Sequence, residues 1–239
     1  MSGHSKWETT KRQKAAVDAK RGAAFTKLAN QISIAARGGA DPDMNPSLAM
    51  AVDKAKAANM PKANIERAIA RVSGKDAAAL EEVNYEAYEP GGVGLIIQTA
   101  TDNRNRTFPE VKSTLTKHGG SVAEPGSVLF QFERKGVIRL SAGGDDALMA
   151  ALDAGADDAS ETDGEIIIYT DAKKLAEVKQ NLSAAGYDAA DAGLEYIAKN
   201  NVPLDAEKAE KLEKLLDALD DLDDVVAVHH NAAWPEDGD

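Results

Sequence analysis

The hydrophobic period of this chain is helical throughout its first third and first turns strand-like near residue 80, which restricts the chain to a helical unit followed by mixed α/β units. Before the change, Phe25, Leu28, Ile32 and Ala35 fall on one helical stripe, which Gly38-Gly39 stops after Arg37. Asn45-Pro46 reads as an N-cap followed by proline at the first helical position, where its missing N–H costs nothing. Leu48, Val52 and Ala55 carry the next stripe towards Asn59. Pro61 opens another, with Ile65, Ala68, Ile69 and Val72 on one face and Ser73-Gly74 at its end. Residues 1–75 are therefore expected to form a bundle of three or four helices, with 1–20 its most polar part. Aromatics make up only 5% of the chain, so Ala, Val, Leu and Ile must fill its cores.

Residues 75–82 read as a linker or a short polar helix. Beyond them, 83–89 alternates like a strand and 93–101 is a buried-strand run, with Pro90-Gly91-Gly92 between. A helix is expected over 108–118, with Val111 and Leu115 on its inner face, then strands over 121–124 and 128–133 around Pro125-Gly126. A new unit starts with a strand at 137–140 and a helix at 145–154. A hairpin of 156–160 and 165–170 turns at Asp163-Gly164, and a helix at 173–185 and a strand at 194–198 complete it. That order is βαββαβ, the ferredoxin-like split motif. A helix over 205–222 and a strand over 225–229 then complete a second such set begun by 83–134. The expected fold class is α+β. Its parts are a basic helical bundle (1–75), a ferredoxin-like domain (83–135 plus 201–239), and a second ferredoxin-like domain inserted within it (136–200).

Charge divides the chain at the same place. Residues 1–75 carry 14 basic and 6 acidic side chains, a net +8, whereas 76–239 carry a net −20. A basic segment on an acidic body points to an anionic partner, or to docking of that segment on the body itself. With no cysteine, disulfides, thiol nucleophiles and Cys-ligated metals are excluded. The longest strongly apolar run, 93–97, is far short of a membrane span, and the first residues lack the apolar stretch of a secretory signal. A cytoplasmic protein without membrane association is expected.

Catalytic patterns are missing from the sequence. The histidines are His4, His118, His229 and His230, and none pairs at metal-ligand spacing. Gly91-Gly92-Val93-Gly94 precedes a strand instead of opening a helix, so it is a turn and not a phosphate loop. The best candidate site is the nucleic-acid-binding set Lys6, Trp7, Lys11, Arg12, Lys14, Lys20, Arg21 and Lys27, a stretch interrupted only by the acids Glu8 and Asp18. Trp7 either stacks on a base or anchors the first helix. Arg104 and Arg106, in a loop that opens a helix, form a secondary anion site or pair with the acidic body; Asn105 or Thr107 is placed to cap that helix. The aspartates 217, 220, 221, 223 and 224 read as a solvated face, with a cation site or a docking patch for basic residues as alternatives.

Several of these segments resemble the YebC family. The resemblance is carried by Gly3-His4-Ser5-Lys6-Trp7, Asp18-Ala19-Lys20-Arg21-Gly22, Phe25-Thr26-Lys27-Leu28, Asn59-Met60-Pro61-Lys62 and Asn64-Ile65-Glu66-Arg67. It continues through Tyr85-Glu86 with Gly91-Gly92-Val93-Gly94, and through Thr101-Asp102-Asn103-Arg104-Asn105-Arg106-Thr107. It implies a three-domain fold around a cleft. It also implies one of two roles: a DNA-binding transcriptional regulator, or a translational activator of the mitochondrial cytochrome oxidase activator type that helps ribosomes through difficult stretches. The resulting expectation is a non-enzymatic, monomeric regulator of gene expression with no cofactor and no metal. It binds nucleic acid, ribosomal RNA or promoter DNA, through its basic N-terminal domain. A ribosome-associated factor relieving stalling comes first, a DNA-binding regulator second, and a protein- or metabolite-binding module third.

Overall fold

The computed structural model describes residues 18–71, 80–141, 144–162 and 164–235, with only the backbone of 18–21. Helix α1 (Asp18–Ala35) runs into a short 3-10 turn, Ala36–Gly38. Helices α2 (Pro46–Ala57) and α3 (Lys62–Ala70) pack against it. Asn45 caps α2, its side chain accepting from the Leu48 N–H at 3.2 Å. The same amide donates to the main-chain oxygens of Ala35 and Gly39, so one buried Asn both starts α2 and ends the preceding helix. Leu28, Ile32, Leu48, Val52 and Ile65 form the bundle core, as the stripes predict.

The first sheet has the order β3-β1-β2-β9 and is antiparallel throughout. Its strands are β1 (Glu81–Tyr88), β2 (Gly94–Thr101), β3 (Ser121–Val122) and β9 (Val225–His230). β2 is buried along its whole length, which explains its continuous apolar sequence. Helices α4 (Arg104–Lys117) and α7 (Ala206–Asp220) supply Val111, Leu115, Leu212, Leu215 and Leu219 to its core. The chain reaches this sheet through a β1–β2 hairpin, so its order is ββαβ before the insertion and αβ after it. The βαββαβ order expected for this unit does not occur. Helix α4 begins four residues before the expected start because Asn103, not Asn105 or Thr107, is the cap; its side chain accepts from the N–H of Asn105 and of Arg106.

The second sheet, β5-β6-β4-β7, is also antiparallel and has the ferredoxin-like order. It comprises β4 (Phe132–Leu140), β5 (Asp158–Thr162), β6 (Glu165–Asp171) and β7 (Asp191–Ala198). Helices α5 (Asp145–Asp153) and α6 (Leu175–Ala184) cover one face. Of the strand expected at 128–133 only 132–133 is extended, since Leu129–Gln131 is a 3-10 turn; those two residues run on through 137–140 as one strand, because β4 pairs with β7 from Phe132 onward. Residues 132–135 thus belong to this sheet and not to the preceding one. Gly136 permits this continuity: a Cβ there would lie 2.7 Å from Thr170 Cγ2 and 2.9 Å from Leu175 Cβ. A short parallel pair, β8 (Val202–Pro203) with β10 (Ala232–Ala233), closes the return path.

Candidate functional site

Of the predicted nucleic-acid-binding residues, Lys6, Trp7, Lys11, Arg12 and Lys14 lie outside the described residues. Lys20 and Arg21 are in the first turn of α1. Burial grows along this helix: none of residues 22–27 is buried, whereas Leu28, Asn30, Ile32 and Ser33 are. In the sequence the basic stretch therefore leads into a helix that is unburied over residues 22–27 and anchored in its second half. Lys27 marks the change. Its side chain is 11% exposed, and its Nζ contacts the Asp220 carboxylate at 3.2 Å and also donates to the Asp220 main-chain oxygen. A cation at the C-terminal end of α7 meets both a carboxylate and the negative end of the helix dipole.

Asp220 at the end of α7 and Asp224 beyond it thus receive the chain's own basic groups, one of the two alternatives to a solvated face, while Asp217, Asp221 and Asp223 are exposed. Asp224 is the most connected. It accepts from Arg106 at 2.7 Å and 3.0 Å, from Thr107 Oγ1 at 2.5 Å and from Thr101 Oγ1 at 3.3 Å. Thr101 and Thr107 bond each other at 2.6 Å. Arg106 also meets Asp102 at 3.1 Å, and hydrogen bonding with Asp224 raises its already high pKa. Arg104 pairs with Glu81, its Nε donating at 2.6 Å. Both arginines of the secondary anion set are therefore engaged by carboxylates of the protein itself.

Between α1, the end of α3 and the α4–α7 side of the first sheet lies a cleft of about 600 Å³. Arg71 and Arg106 face Asp102, Glu110, Asp221, Asp223 and Asp224 there, together with Thr26 and Asn30. Arg71 Nη1 donates to Asn30 Oδ1 at 3.2 Å. Carboxylates outnumber guanidiniums, so the cleft repels phosphate. Among the described residues no group of three His, Asp or Glu side chains is placed to hold a metal ion. His229 and His230 are buried; the His229 ring meets Gln98 Oε1 at 2.7 Å and packs edge-on to Tyr196. No helix among the described residues is long and apolar enough to cross a membrane.

Sequence reasoning missed Glu86. Its carboxylate is buried and accepts from the N–H groups of Gly126, Val128 and Leu129 at 2.5, 2.6 and 2.7 Å. Burial alone would raise its pKa, but the amide bonds outweigh it and the net direction is down. In the sequence Glu86 looks like one more acid in a strand rich in them. Only the fold shows that it faces a Pro-Gly turn 40 residues on.

The chain matches known proteins over most of its length. A family model described as the TACO1/YebC protein N-terminal domain matches residues 5–75, and one described as the TACO1/YebC second and third domain matches 80–232. A protein from Roseiflexus castenholzii named "Probable transcriptional regulatory protein" is 50% identical over 219 residues, covering 87% of this chain and 86% of that one. One of the same name from Lacticaseibacillus casei is 44% identical, covering 99% of this chain and all of its own length. The crystal structure of Aq1575, a conserved hypothetical protein from Aquifex aeolicus, superimposes with a TM-score of 0.88. It is 43% identical, over 94% of this chain and 95% of that one.

Proposed function

Since the chain belongs to the TACO1/YebC family, whose relatives carry the name of transcriptional regulatory proteins, we propose that it is a non-enzymatic regulator of gene expression that binds nucleic acid through its basic bundle. The observation that carries this reading is the net +8 of residues 1–75 against −20 for the rest, with the basic stretch preceding the part of α1, residues 22–27, that is not buried. The cleft is not the nucleic-acid site, because its carboxylates repel phosphate. Lys6, Lys11, Arg12, Lys14, Lys20 and Arg21 are the phosphate-contacting set, and Lys27 holds the bundle to the acidic body.

The exposed faces of the described helices favour RNA on the ribosome over sequence-specific duplex DNA. On α2 the exposed side chains include Asp53, Lys54 and Lys56, and on α3 Lys62, Glu66 and Arg67. Lys56 pairs with Asp53 and Lys62 with Glu66. A helix read into the major groove presents a row of Arg, Asn or Gln to base edges; α2 carries none of these residues, and α3 only the half-buried Asn64 and the exposed Arg67.

The test is co-sedimentation with purified ribosomes over a salt series, with a promoter-length DNA duplex as competitor. Saturable binding that the duplex does not displace supports the ribosomal reading; with about five phosphate contacts the log–log salt slope is near −3.5 for a single strand. Tight duplex binding without ribosome association replaces it with the relatives' transcriptional label. Binding to neither removes nucleic acid from the function.

A further inference from the structure

The bond network around Glu86 serves a surface loop. The loop rises from β3, turns at Pro125-Gly126 and passes through a 3-10 turn, Leu129–Gln131, into β4. Glu86 holds its backbone at Gly126, Val128 and Leu129. Tyr88 Oη donates to the Ser127 oxygen at 2.8 Å and accepts from Gln131 Nε2 at 3.0 Å. Asn231 Nδ2 donates to Gln131 Oε1 at 2.8 Å. Lys199, just past β7, donates its Nζ to the Phe130 oxygen at 2.8 Å and its N–H to the Gln131 oxygen at 2.9 Å. Yet the side chains this frame carries point into solvent: Phe130 is 65% exposed and Leu129 39%. A buried charge and several polar side chains thus hold in one conformation a turn that presents an aromatic ring to solvent, so that ring is pre-organised for a contact.

We infer that Phe130 is a stacking platform for one unpaired nucleobase, with the Lys199 ammonium, which meets the Phe130 main-chain oxygen, beside it for the adjoining phosphate. The inference rests on the nucleic-acid reading above and adds a second contact, on a different domain from the basic bundle. Lys199 supplies a cation next to the residue that carries the ring, and Arg134 follows four residues along the chain on β4. Arg134 is exposed and makes no hydrogen bond or ion pair among the described residues. It lies opposite Tyr196 in the β4–β7 register, two residues in from the Phe132–Ala198 pair that Lys199 follows. Of the nearby acids, Glu133 lies 4.0 Å from Lys135, while Glu124 is exposed. The size of the patch also favours a base. A protein partner needs about 800 Å² on each side, and Leu129 with Phe130 form an isolated apolar spot. Met44, Phe108, Met149 and Leu152, the other exposed large hydrophobics described, sit on other elements. One ring face matches one base face, and stacking on it is indifferent to sequence.

The experiment measures binding of the full chain to a fluorescein-labelled single-stranded 12-nucleotide RNA and to the same sequence as a duplex, at several salt concentrations. Phe130→Ala is expected to weaken single-strand binding by about five- to 150-fold, the range of one lost base stack. The same ratio should hold at every salt concentration, since stacking releases no counterions. Duplex binding stays unchanged, and Phe130→Trp restores the single-strand affinity. Thermal unfolding checks that the exposed substitution leaves the fold intact. Wild-type binding that Phe130→Ala does not weaken overturns this inference and leaves the bundle reading standing. Loss of ribosome association with unchanged RNA binding also overturns it, in favour of a protein contact. No wild-type binding to either RNA or ribosome overturns the bundle reading, and this one with it.

Discussion

Three backbone N–H groups converge on the Glu86 carboxylate, and Glu86→Ala leaves them without an acceptor where water enters poorly. The expected cost is about 2–4 kcal/mol in chemical denaturation, from unmet buried donors and a lost charged acceptor. Glu86→Gln keeps an acceptor oxygen and separates charge from shape. Because the folded carboxyl titrates lower than the unfolded one, the wild-type charge contributes stability above about pH 4.3, and this is lost as pH falls through the lowered value. Glu86→Gln should therefore be less stable at neutral pH and have a flatter stability profile in that acid window. Equal pH slopes for the two proteins would show that Glu86 does not carry this linkage. Glu195 follows the same direction: burial works against its ionisation, but the Arg139 guanidinium outweighs it. Neither role was legible in the sequence. Acids abound here, and what distinguishes these two is a partner 40 and 56 residues distant.

At the scale of elements, periodicity located almost every helix and strand, because each buries one stripe or one face. Leu212, Leu215 and Leu219 on α7 and Ile65 and Ala68 on α3 line the cores that their spacing predicts. Failures came where a glycine or a cap overrode the period. Between the strands expected at 128–133 and 137–140 lies Gly136, which carries β4 past Thr170 and Leu175 without interruption. Gly136→Ala should cost about 1–3 kcal/mol by overpacking at a fixed junction, measured by urea unfolding; a neutral result would mean that α6 shifts freely. The secondary arginine site shows the other kind of failure. The motif at 101–107 was visible, but its receptor was not, since Asp224 lies 118 residues from Arg106. Asp224→Asn should weaken the link between the α4 loop and the start of β9, costing about 1–3 kcal/mol with a hydrogen bond to a charged group lost. Faster amide exchange in α4's first turn would localise the effect; uniform exchange would place it elsewhere.

For the whole molecule, the charge split does two things at once. The acidic body receives the bundle, through Lys27 on Asp220, Lys54 on Asp191 and the Arg37 guanidinium on the Leu80 main-chain oxygen. In the proposed function the same body also repels nucleic acid from every surface except those that face a built site. Repulsion of this kind acts over about 10 Å at 0.1 M salt, so it can be reduced without touching either contact. Glu207 and Glu210 suit the purpose. They sit on the exposed side of α7, where each pairs at 2.7 Å with a lysine one turn on. Ion pairs this exposed are screened by solvent and contribute little to stability, so Glu207→Gln with Glu210→Gln should fold normally. Non-specific RNA binding at low salt should rise in this variant, and the gain should vanish near physiological ionic strength. The salt slope measured on the specific site should stay the same, because the number of phosphates contacted there has not changed. A steeper slope would mean that α7 had become a contact itself, and the division between a basic binding unit and an excluding acidic body would fail.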